Sequence, residues 1–470
     1  MRRGLILVVL FALPNAVVAQ VERFELGLRL REFEKTWDRT PDAEGRKRAV
    51  QPLNQAVRSF FSFNFGGVGE SLDKARHALL TADPALLETR WAESLAVQPQ
   101  GRLIDFELAE LGVVVKPFYK VDGAMPKTAK IRFSIDGKQV VEVAVESLPQ
   151  NIKVPLTAIA GPKSADLSFA FDIIVEGKLL VSRSLTISRI EQLLERIALL
   201  KKFVDAGDKT ATIERATLRS LVVLLSDLAD KKVMETNYPA ARLVKEAEAL
   251  VGVIRREAAY YTANQAGQFW LTVPTDKGDT AVRIFVPDRL ADKKQVPAVV
   301  ALHGAGGSEN LFFDGYGDGI TQKLCKDRGW IMVATRVGGG LGICGAPPVV
   351  PLIDALAKRY PIDVKRMYLV GHSMGAGHVV STAQQSPERF AGAAALGGGG
   401  SLRATDGIKR LPFFIGCGKD DFAISGARNL AGAFKRAGTD KLVYREYDDI
   451  EHMMIVRQAI PDVFQFWEGK

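Results

Sequence analysis

Cysteine is scarce in this chain, with three residues among 470. They are Cys325, Cys344 and Cys417, and no two of them have the Cys-x-x-Cys spacing typical of a zinc site. An odd number leaves at least one thiol unpaired within the chain, even in a compartment that permits disulfides. The sequence therefore does not indicate a metal site, and it leaves open whether any disulfide forms.

Concentrated charge is also absent. The net charge is +9, but lysine and arginine occur as isolated pairs such as Lys201-Lys202 and Arg255-Arg256. Proteins that bind nucleic acids usually concentrate basic residues on one face or in a recognisable module. We therefore expect no nucleic-acid partner and interpret the basic residues as a solvated surface.

A long apolar run stands near the start of the chain. Met1-Arg2-Arg3 is followed by the apolar residues 4–13, and Val17-Val18-Ala19 is a small-residue cleavage site. The run is too short to cross a bilayer comfortably. Residues 1–19 are therefore predicted to be a signal peptide, which makes the mature chain secreted or periplasmic without stable membrane insertion.

Residues 20–263 show no side chains at catalytic spacing. An α-helical region is predicted over 20–100, with a helix start at Thr40-Pro41-Asp42, where the hydroxyl of Thr40 is the cap and Pro41 the first helical residue. Short strands separated by turns predict a β-sandwich-like domain over 101–188, and helical stripes predict a connector over 189–263. We interpret this half as a binding or positioning module.

Residues 264–470 have an α/β pattern. Strands are predicted at 269–273, 281–286, 298–302, 330–335, 367–370, 391–396, 411–415 and 441–447. Helical stretches separate them from the third strand onward, which indicates a mostly parallel eight-stranded sheet covered on both faces. We expect this part of the chain to carry the chemistry by itself.

The segment Gly371-His372-Ser373-Met374-Gly375 lies between an apolar strand and a helix. A serine on a sharp strand-to-helix turn needs neighbours without Cβ atoms, and such a turn is a nucleophile elbow. The elbow exposes the hydroxyl of Ser373 and leaves the N–H of Met374 free at a helix N-terminus, where it can stabilise an oxyanion. Ser373 is the predicted nucleophile.

The elbow, together with the strand that enters His303-Gly304-Ala305, resembles the α/β-hydrolase superfamily. The most similar branches are secreted polyhydroxybutyrate-depolymerase-like and feruloyl-type esterases and dienelactone hydrolases. This resemblance covers the C-terminal domain and implies that the Gly304–Ala305 loop supplies the second oxyanion donor, foremost the N–H of Ala305. His303 is expected to orient this loop.

The resemblance also implies the order serine, acid, histidine along the chain. The acid belongs after the strand at 411–415, where Asp420 and Asp421 are adjacent, and Asp420 fits the family's Asp-x-Phe pattern better. His452 follows the acid and is the predicted base. His372 and His378 are expected to pack against their neighbours. No cofactor or metal is needed for this chemistry.

Two glycine-rich loops, at 338–342 and 397–400, are expected to line the acyl or alcohol pocket. They are compatible with ordinary flexible loops or with an open cleft for a bulky polymeric ester.

The leading hypothesis is an exported serine hydrolase that acts on small-molecule or polymeric carboxylic esters. The alternatives are a serine peptidase of the prolyl-oligopeptidase type and a non-catalytic binding protein on a hydrolase scaffold. The N-terminal half lacks the repeats of a propeller, which counts against the peptidase.

Overall fold

The computed structural model describes residues 16–157, 161–207, 211–336 and 347–469. Most of the predicted signal peptide, the glycine-rich loop 338–342 and Cys344 lie outside these residues. Over the described ranges the fold is mixed α/β, with three sheets. In the same ranges, no helix is both long enough and apolar enough to cross a bilayer.

The chain begins with a group of helices. They are α1 (Ala16–Arg39), α2 (Ala43–Phe61), α3 (Phe65–Leu80) and α4 (Leu87–Ser94). The carboxylate of Asp42 accepts hydrogen bonds from the N–H groups of Glu44 and Gly45, so Asp42 is the N-cap of α2. The cap predicted at Thr40 is therefore wrong by two positions, because Asp42 satisfies the free N–H groups of the first turn.

Two sheets follow and share one apolar core. Their strands are β1 (Leu95–Pro99), β2 (Leu103–Asp105), β3 (Glu110–Pro117), β4 (Ala129–Ile135), β5 (Lys138–Ala144), β6 (Gln150–Pro155), β7 (Ala165–Val175) and β8 (Lys178–Ile190). The orders are β1-β3-β6 and β2-β8-β7-β4-β5. Alternate residues of β7, such as Phe169 and Phe171, are buried, as expected for strands with one face on a core. The first strand lies in a stretch for which the sequence predicted helix.

Three helices connect this sandwich to the last part of the chain: α5 (Leu193–Ala206), α6 (Ile213–Ala229) and α7 (Ala240–Arg255). The hydroxyl of Thr217 on α6 accepts a hydrogen bond from the N–H of Thr272 at 3.0 Å. The connector therefore packs directly on the strands that follow it.

The last part of the chain forms the central sheet. Its strands are β9 (Gly267–Thr275), β10 (Gly278–Val286), β11 (Val296–Leu302), β12 (Ile331–Thr335), β13 (Ile362–His372), β14 (Gly392–Leu396), β15 (Phe413–Gly418) and β16 (Leu442–Tyr447). Their order within the described residues is β16-β15-β14-β13-β11-β12-β10-β9. β10 runs antiparallel to both of its neighbours, and the other pairs are parallel. The prediction of a mostly parallel sheet of eight strands is confirmed.

Helices cover both faces of the central sheet. Those that follow its strands are α8 (Tyr316–Arg328), α9 (Val349–Ala357), α10 (Met374–Gln385), α11 (Asp406–Arg410), α12 (Ile424–Ala437) and α13 (Ile455–Trp467). Alternate residues of β11 enter two different cores, with Val300 on one side and Val299 on the other. The core around Val300 includes α5–α7, and the core around Val299 includes α1–α3. The N-terminal half therefore packs against both faces of the sheet.

Candidate active site

The turn between β13 and α10 places Ser373 in a strained conformation, with φ 55° and ψ −116°. The neighbouring glycines permit this turn. A Cβ atom on Gly371 would lie 2.3 Å from the carbonyl oxygen of Gly375, and one on Gly375 would lie 2.0 Å from that of Leu302. The structure thus has the strand-turn-helix geometry of a nucleophile elbow.

Backbone N–H groups lie close to the elbow. Met374 is the first residue of α10, so its N–H has no acceptor within the helix. The loop after β11 lies beside Ser373, because a Cβ atom on Gly304 would be 3.2 Å from Ser373 Cβ. The N–H of Gly304 donates to Tyr316 Oη at 3.3 Å, whereas Ala305 lines the same cavity as Ser373. Ala305 is therefore the better candidate of the two for an oxyanion donor.

His452 lies against Asp421. Its Nδ1 is 2.9 Å from Asp421 Oδ1 and 3.1 Å from Oδ2, and both side chains are buried. The same carboxylate accepts a hydrogen bond from the N–H of Ala423 at 2.8 Å. A carboxylate can only accept, so the proton of a neutral His452 resides on Nδ1 and leaves Nε2 as a base.

The structure places Asp421, and not the preferred Asp420, against His452. The side chain of Asp420 is exposed, while its N–H donates to the carbonyl of Ile450 and its own carbonyl accepts from Asn54. The chain turns directly after β15, and the N–H of Asp421 donates to the carbonyl of Gly418. This turn directs the second aspartate inward, to His452.

A hydrogen-bonded chain links the loop after β11 to His452. Tyr316 Oη lies 2.7 Å from His372 Nδ1, and His372 Nε2 lies 2.9 Å from the carbonyl oxygen of His452. Because that carbonyl can only accept, Nε2 of His372 carries the proton and Nδ1 accepts from the tyrosine hydroxyl. Burial lowers the pKa of His372 well below its usual range, which keeps the ring neutral. The hydroxyl of Tyr316 in turn accepts from Gly304.

The other predicted histidines and loops have simpler roles. His303 Nδ1 lies 2.7 Å from the carbonyl oxygen of Gly304, as expected for a residue that orients its loop. His378 is half-buried on α10, and burial lowers its pKa. The loop 397–400 does not line the cavity beside Ser373, which corrects the expectation for it. A Cβ atom on Gly398 would lie 2.6 Å from the carbonyl oxygen of Ser373, so this loop packs against the elbow.

Ser373 and His452 open into one cavity of about 200 Å³. Much of its apolar wall comes from the N-terminal helices, which contribute Leu26, Leu30, Ala56, Val57, Phe60 and Val68. Phe60 lies so close to the loop after β11 that a Cβ atom on Gly306 would be 2.5 Å from its Cζ. The N-terminal helices therefore form part of the cavity wall, whereas Ser373, His452 and Asp421 all belong to residues 264–470.

Exposed aromatic rings stand at the rim of the site. The ring of Phe422 lies 4.4 Å from that of His452, and Phe61 packs edge-on against Phe422 at 5.9 Å. Phe422 directly follows Asp421 in the sequence, and Phe61 ends α2. The N-terminal helices thus touch the loop that carries Asp421.

The strand order of the central sheet and the turn at Ser373 define an α/β-hydrolase fold. No family model matches the chain. The bifunctional acetylxylan esterase/xylanase XynS20E of Neocallimastix patriciarum is 28% identical over 148 residues. That match covers 30% of this chain and 21% of the matched protein, so the chain spans about a fifth of the length of this curated relative.

Among solved structures, the feruloyl esterase module from Clostridium thermocellum has 15% identity and a TM-score of 0.36, covering 44% of this chain and 92% of that one. An S-formylglutathione hydrolase from Agrobacterium tumefaciens has 21% identity and a TM-score of 0.35, with 43% and 94% covered. A thermostable esterase has 16% identity and a TM-score of 0.38, with 79% and 99% covered. The chain resembles these esterases.

Proposed function

We propose that this protein is a serine hydrolase that cleaves carboxylic esters through Ser373, His452 and Asp421. The observation that carries the proposal is the buried pair of Asp421 and His452, whose histidine lines the same cavity as a strained serine at a nucleophile elbow. A surface histidine would need neither a buried carboxylate on Nδ1 nor a serine at φ 55° in the same cavity.

In the first step Ser373 Oγ attacks the ester carbonyl carbon and His452 Nε2 takes the hydroxyl proton. Asp421 holds the proton on Nδ1 and stabilises the imidazolium. In this structure no hydrogen bond joins Ser373 Oγ to His452, and both residues lie within the described ranges. Such contacts often shorten only when substrate is bound.

The N–H groups of Met374 and Ala305 then stabilise the negative oxygen of the tetrahedral intermediate. Loss of one such donor costs about 100- to 1000-fold in rate in related chemistry. The imidazolium returns its proton to the departing alcohol, which leaves an acyl group on Ser373. Water, activated by the same histidine, hydrolyses this acyl-enzyme and restores the hydroxyl.

The test is to label the protein with a fluorophosphonate probe and to assay 4-nitrophenyl butyrate. Ser373→Ala is expected to abolish both labelling and hydrolysis. Ser381→Ala is the matched control, because Ser381 lies on the same helix and donates to the carbonyl of His378 at 3.1 Å. Labelling that persists in Ser373→Ala would exclude Ser373 as the nucleophile.

A panel of acetyl, feruloyl, glucuronoyl and peptide substrates separates the candidate reactions. The name of the acetylxylan esterase/xylanase relative favours acetyl esters among these substrates. Hydrolysis of peptides instead of esters would favour the prolyl-oligopeptidase type, and no hydrolysis of any member would favour the binding protein. The N-terminal half supports the esterase over that peptidase, because its described strands pair into a sandwich around a common core.

Export is part of the proposal. Cleavage after Ala19 removes the basic and apolar start of the chain. It leaves the cavity-lining face of α1 intact, since that face begins at Arg23. The intact mass of the mature protein measures the cleavage point, and a mass that retains residues 1–19 would contradict export through this signal.

A further inference from the structure

One face of α1 borders the cavity beside Ser373. Its lining residues are Arg23, Leu26, Gly27, Leu30 and Arg31. They follow the spacing i, i+3, i+4, i+7 and i+8, which places them on one side of a helix. This side is apolar except for two arginines, so the partners of these two cations determine what the cavity can bind.

The charges around the cavity are paired, with one exception. Arg23 forms an ion pair with Glu235 at 2.9 Å. Asp314, which also lines the cavity, forms an ion pair with Arg283 at 2.7 Å and accepts a hydrogen bond from Thr236 at 2.8 Å. These pairs leave Arg31 as the lining cation whose charge is not matched.

Arg31 makes no ion pair or hydrogen bond to any of the described residues, and its Nη2 is shut off from solvent without a partner. Burial lowers its pKa, although Asp314 and Glu34 act in the opposite direction from a distance. Glu34 is itself occupied, because its carboxylate accepts from the N–H groups of Gly317 and Asp318. The side chain as a whole is only partly buried, but a guanidinium nitrogen enclosed without a partner is unfavourable, so a ligand that pairs with it gains affinity.

We propose that Arg31 binds a carboxylate on the part of the substrate that fills this cavity. This inference rests on the proposed ester hydrolysis. The apolar wall of Leu26 and Leu30 suits a hydrocarbon chain or ring, and the guanidinium fork suits a carboxylate at its end. The substrate class is then an ester of a dicarboxylic acid, or of a hydroxy acid with a free carboxyl group. A simple acetate would leave Arg31 unpaired.

Two pairs of esters test this inference, each pair differing in one carboxylate. On the acyl side, mono-4-nitrophenyl adipate is compared with 4-nitrophenyl hexanoate. On the alcohol side, 4-acetoxybenzoate is compared with methyl 4-acetoxybenzoate. The quantity measured is the ratio of kcat/KM for the anionic ester to kcat/KM for its neutral counterpart. Intrinsic reactivity cancels when this ratio is compared between variants.

In at least one pair, Arg31→Met is expected to lower this ratio about 10- to 100-fold, which is the usual effect of removing a hydrogen bond to a charged group. Arg31→Lys is expected to restore part of the ratio, because it retains the charge without the fork. Arg39→Met is the matched control, since Arg39 is exposed on the same helix and does not line the cavity. Its ratio is expected to equal that of the wild type.

The other possible outcomes separate a failure of the inference about Arg31 from a failure of the proposed ester hydrolysis. Equal ratios for wild type, Arg31→Met and Arg31→Lys in both pairs would overturn the role of Arg31 and leave ester hydrolysis intact. An equal loss on the anionic and neutral esters would assign Arg31 a structural role and also overturn the inference. If the wild type hydrolyses none of the four esters, the proposed function itself fails. Arg31→Lys supplies the comparison if Arg31→Met does not fold.

Discussion

The Nδ1 atom of His452 lies 2.9 Å from Oδ1 of Asp421, and the ring of Phe422 covers the imidazole at 4.4 Å. A short loop after β15 therefore supplies both the carboxylate that contacts Nδ1 of His452 and an aromatic ring that packs on its imidazole. Since Asp420 in the same loop is exposed, the two adjacent aspartates occupy opposite environments.

This contrast predicts different effects of matched substitutions. Asp421→Asn removes the acceptor that fixes the proton on Nδ1, and kcat for 4-nitrophenyl butyrate is expected to fall by about 10⁴, the order seen in other serine hydrolases. Asp420→Asn is the control, and its kcat is expected to change by less than about threefold, because exposed positions are tolerant. The opposite ranking would contradict the assignment of Asp421 as the acid.

The sequence predicted the parts of the site that depend on local pattern. The eight strands could be predicted from apolar runs, and the elbow from glycines two positions either side of Ser373. The choice between Asp420 and Asp421 could not be made, because both residues follow the same strand. What separates them is a turn closed by Gly418 and contacts with Ile450.

The N-terminal wall of the cavity could not be predicted either. Phe60 approaches Gly306, and Glu34 approaches Gly317, across gaps of hundreds of residues. Periodicity in α1 and α2 shows which side of each helix is apolar, but it does not show which surface covers that side. The role of Tyr316 could not be predicted, because no motif marks this tyrosine as a hydrogen-bond partner of His372.

We expect Tyr316 to contribute to stability and catalysis by positioning its hydrogen-bond partners. Tyr316→Phe removes the hydroxyl that joins Gly304 to His372 and leaves two buried groups without that partner. The free energy of unfolding should fall by about 1–3 kcal/mol. We also expect kcat to fall while KM changes little, because the oxyanion loop loses a contact that fixes it. Urea denaturation and steady-state kinetics measure the two effects.

Tyr360→Phe is the control for this substitution. Tyr360 is also buried, but its hydroxyl has no hydrogen-bond partner among the described residues. Its removal should leave stability unchanged or slightly increased, because an unpaired buried hydroxyl is unfavourable. If the two phenylalanine variants behave alike, the hydrogen-bonded chain through Tyr316 does not stabilise the site.

The carboxyl group of Glu451 gives the protein a defined pH dependence. Burial raises its pKa to about 8, although the N–H groups of Met453 and Met454 donate to it. Between pH 4.5 and 8 the unfolded chain therefore loses a proton that the folded chain keeps, and the free energy of unfolding falls as pH rises through this window. Below pH 4.5, Glu451 is protonated in both the folded and the unfolded chain, so its ionisation no longer lowers the free energy of unfolding.

Glu451→Gln is thus expected to be more destabilising relative to wild type at pH 5 than at pH 8. Glu446→Gln is the control, because hydrogen bonds from Arg428 and Tyr444 lower the pKa of Glu446 to about 2. Its stability contribution is lost only as pH falls below about 4.5, so the effect of this substitution should be constant from pH 5 to 8. The midpoints of urea denaturation at pH 5, 6.5 and 8 measure these differences in stability. A difference between Glu451→Gln and wild type that stays constant over this range would contradict the raised pKa of Glu451.

The N-terminal half is expected to be required for the fold of the central sheet. A truncated protein that starts at Ala263 would lose α1, whose Leu26 and Phe33 belong to the core on one face of the sheet. It would also lose α6, whose Leu221 and Leu225 belong to the core on the other face. Large apolar surfaces would then face water, so we expect aggregation and no hydrolysis of 4-nitrophenyl butyrate. Residues 20–262 supplied as a separate chain should restore solubility and activity in part, since they carry the missing surfaces. A truncated protein that is folded by circular dichroism and fully active would show that the N-terminal wall contributes nothing to catalysis on small esters.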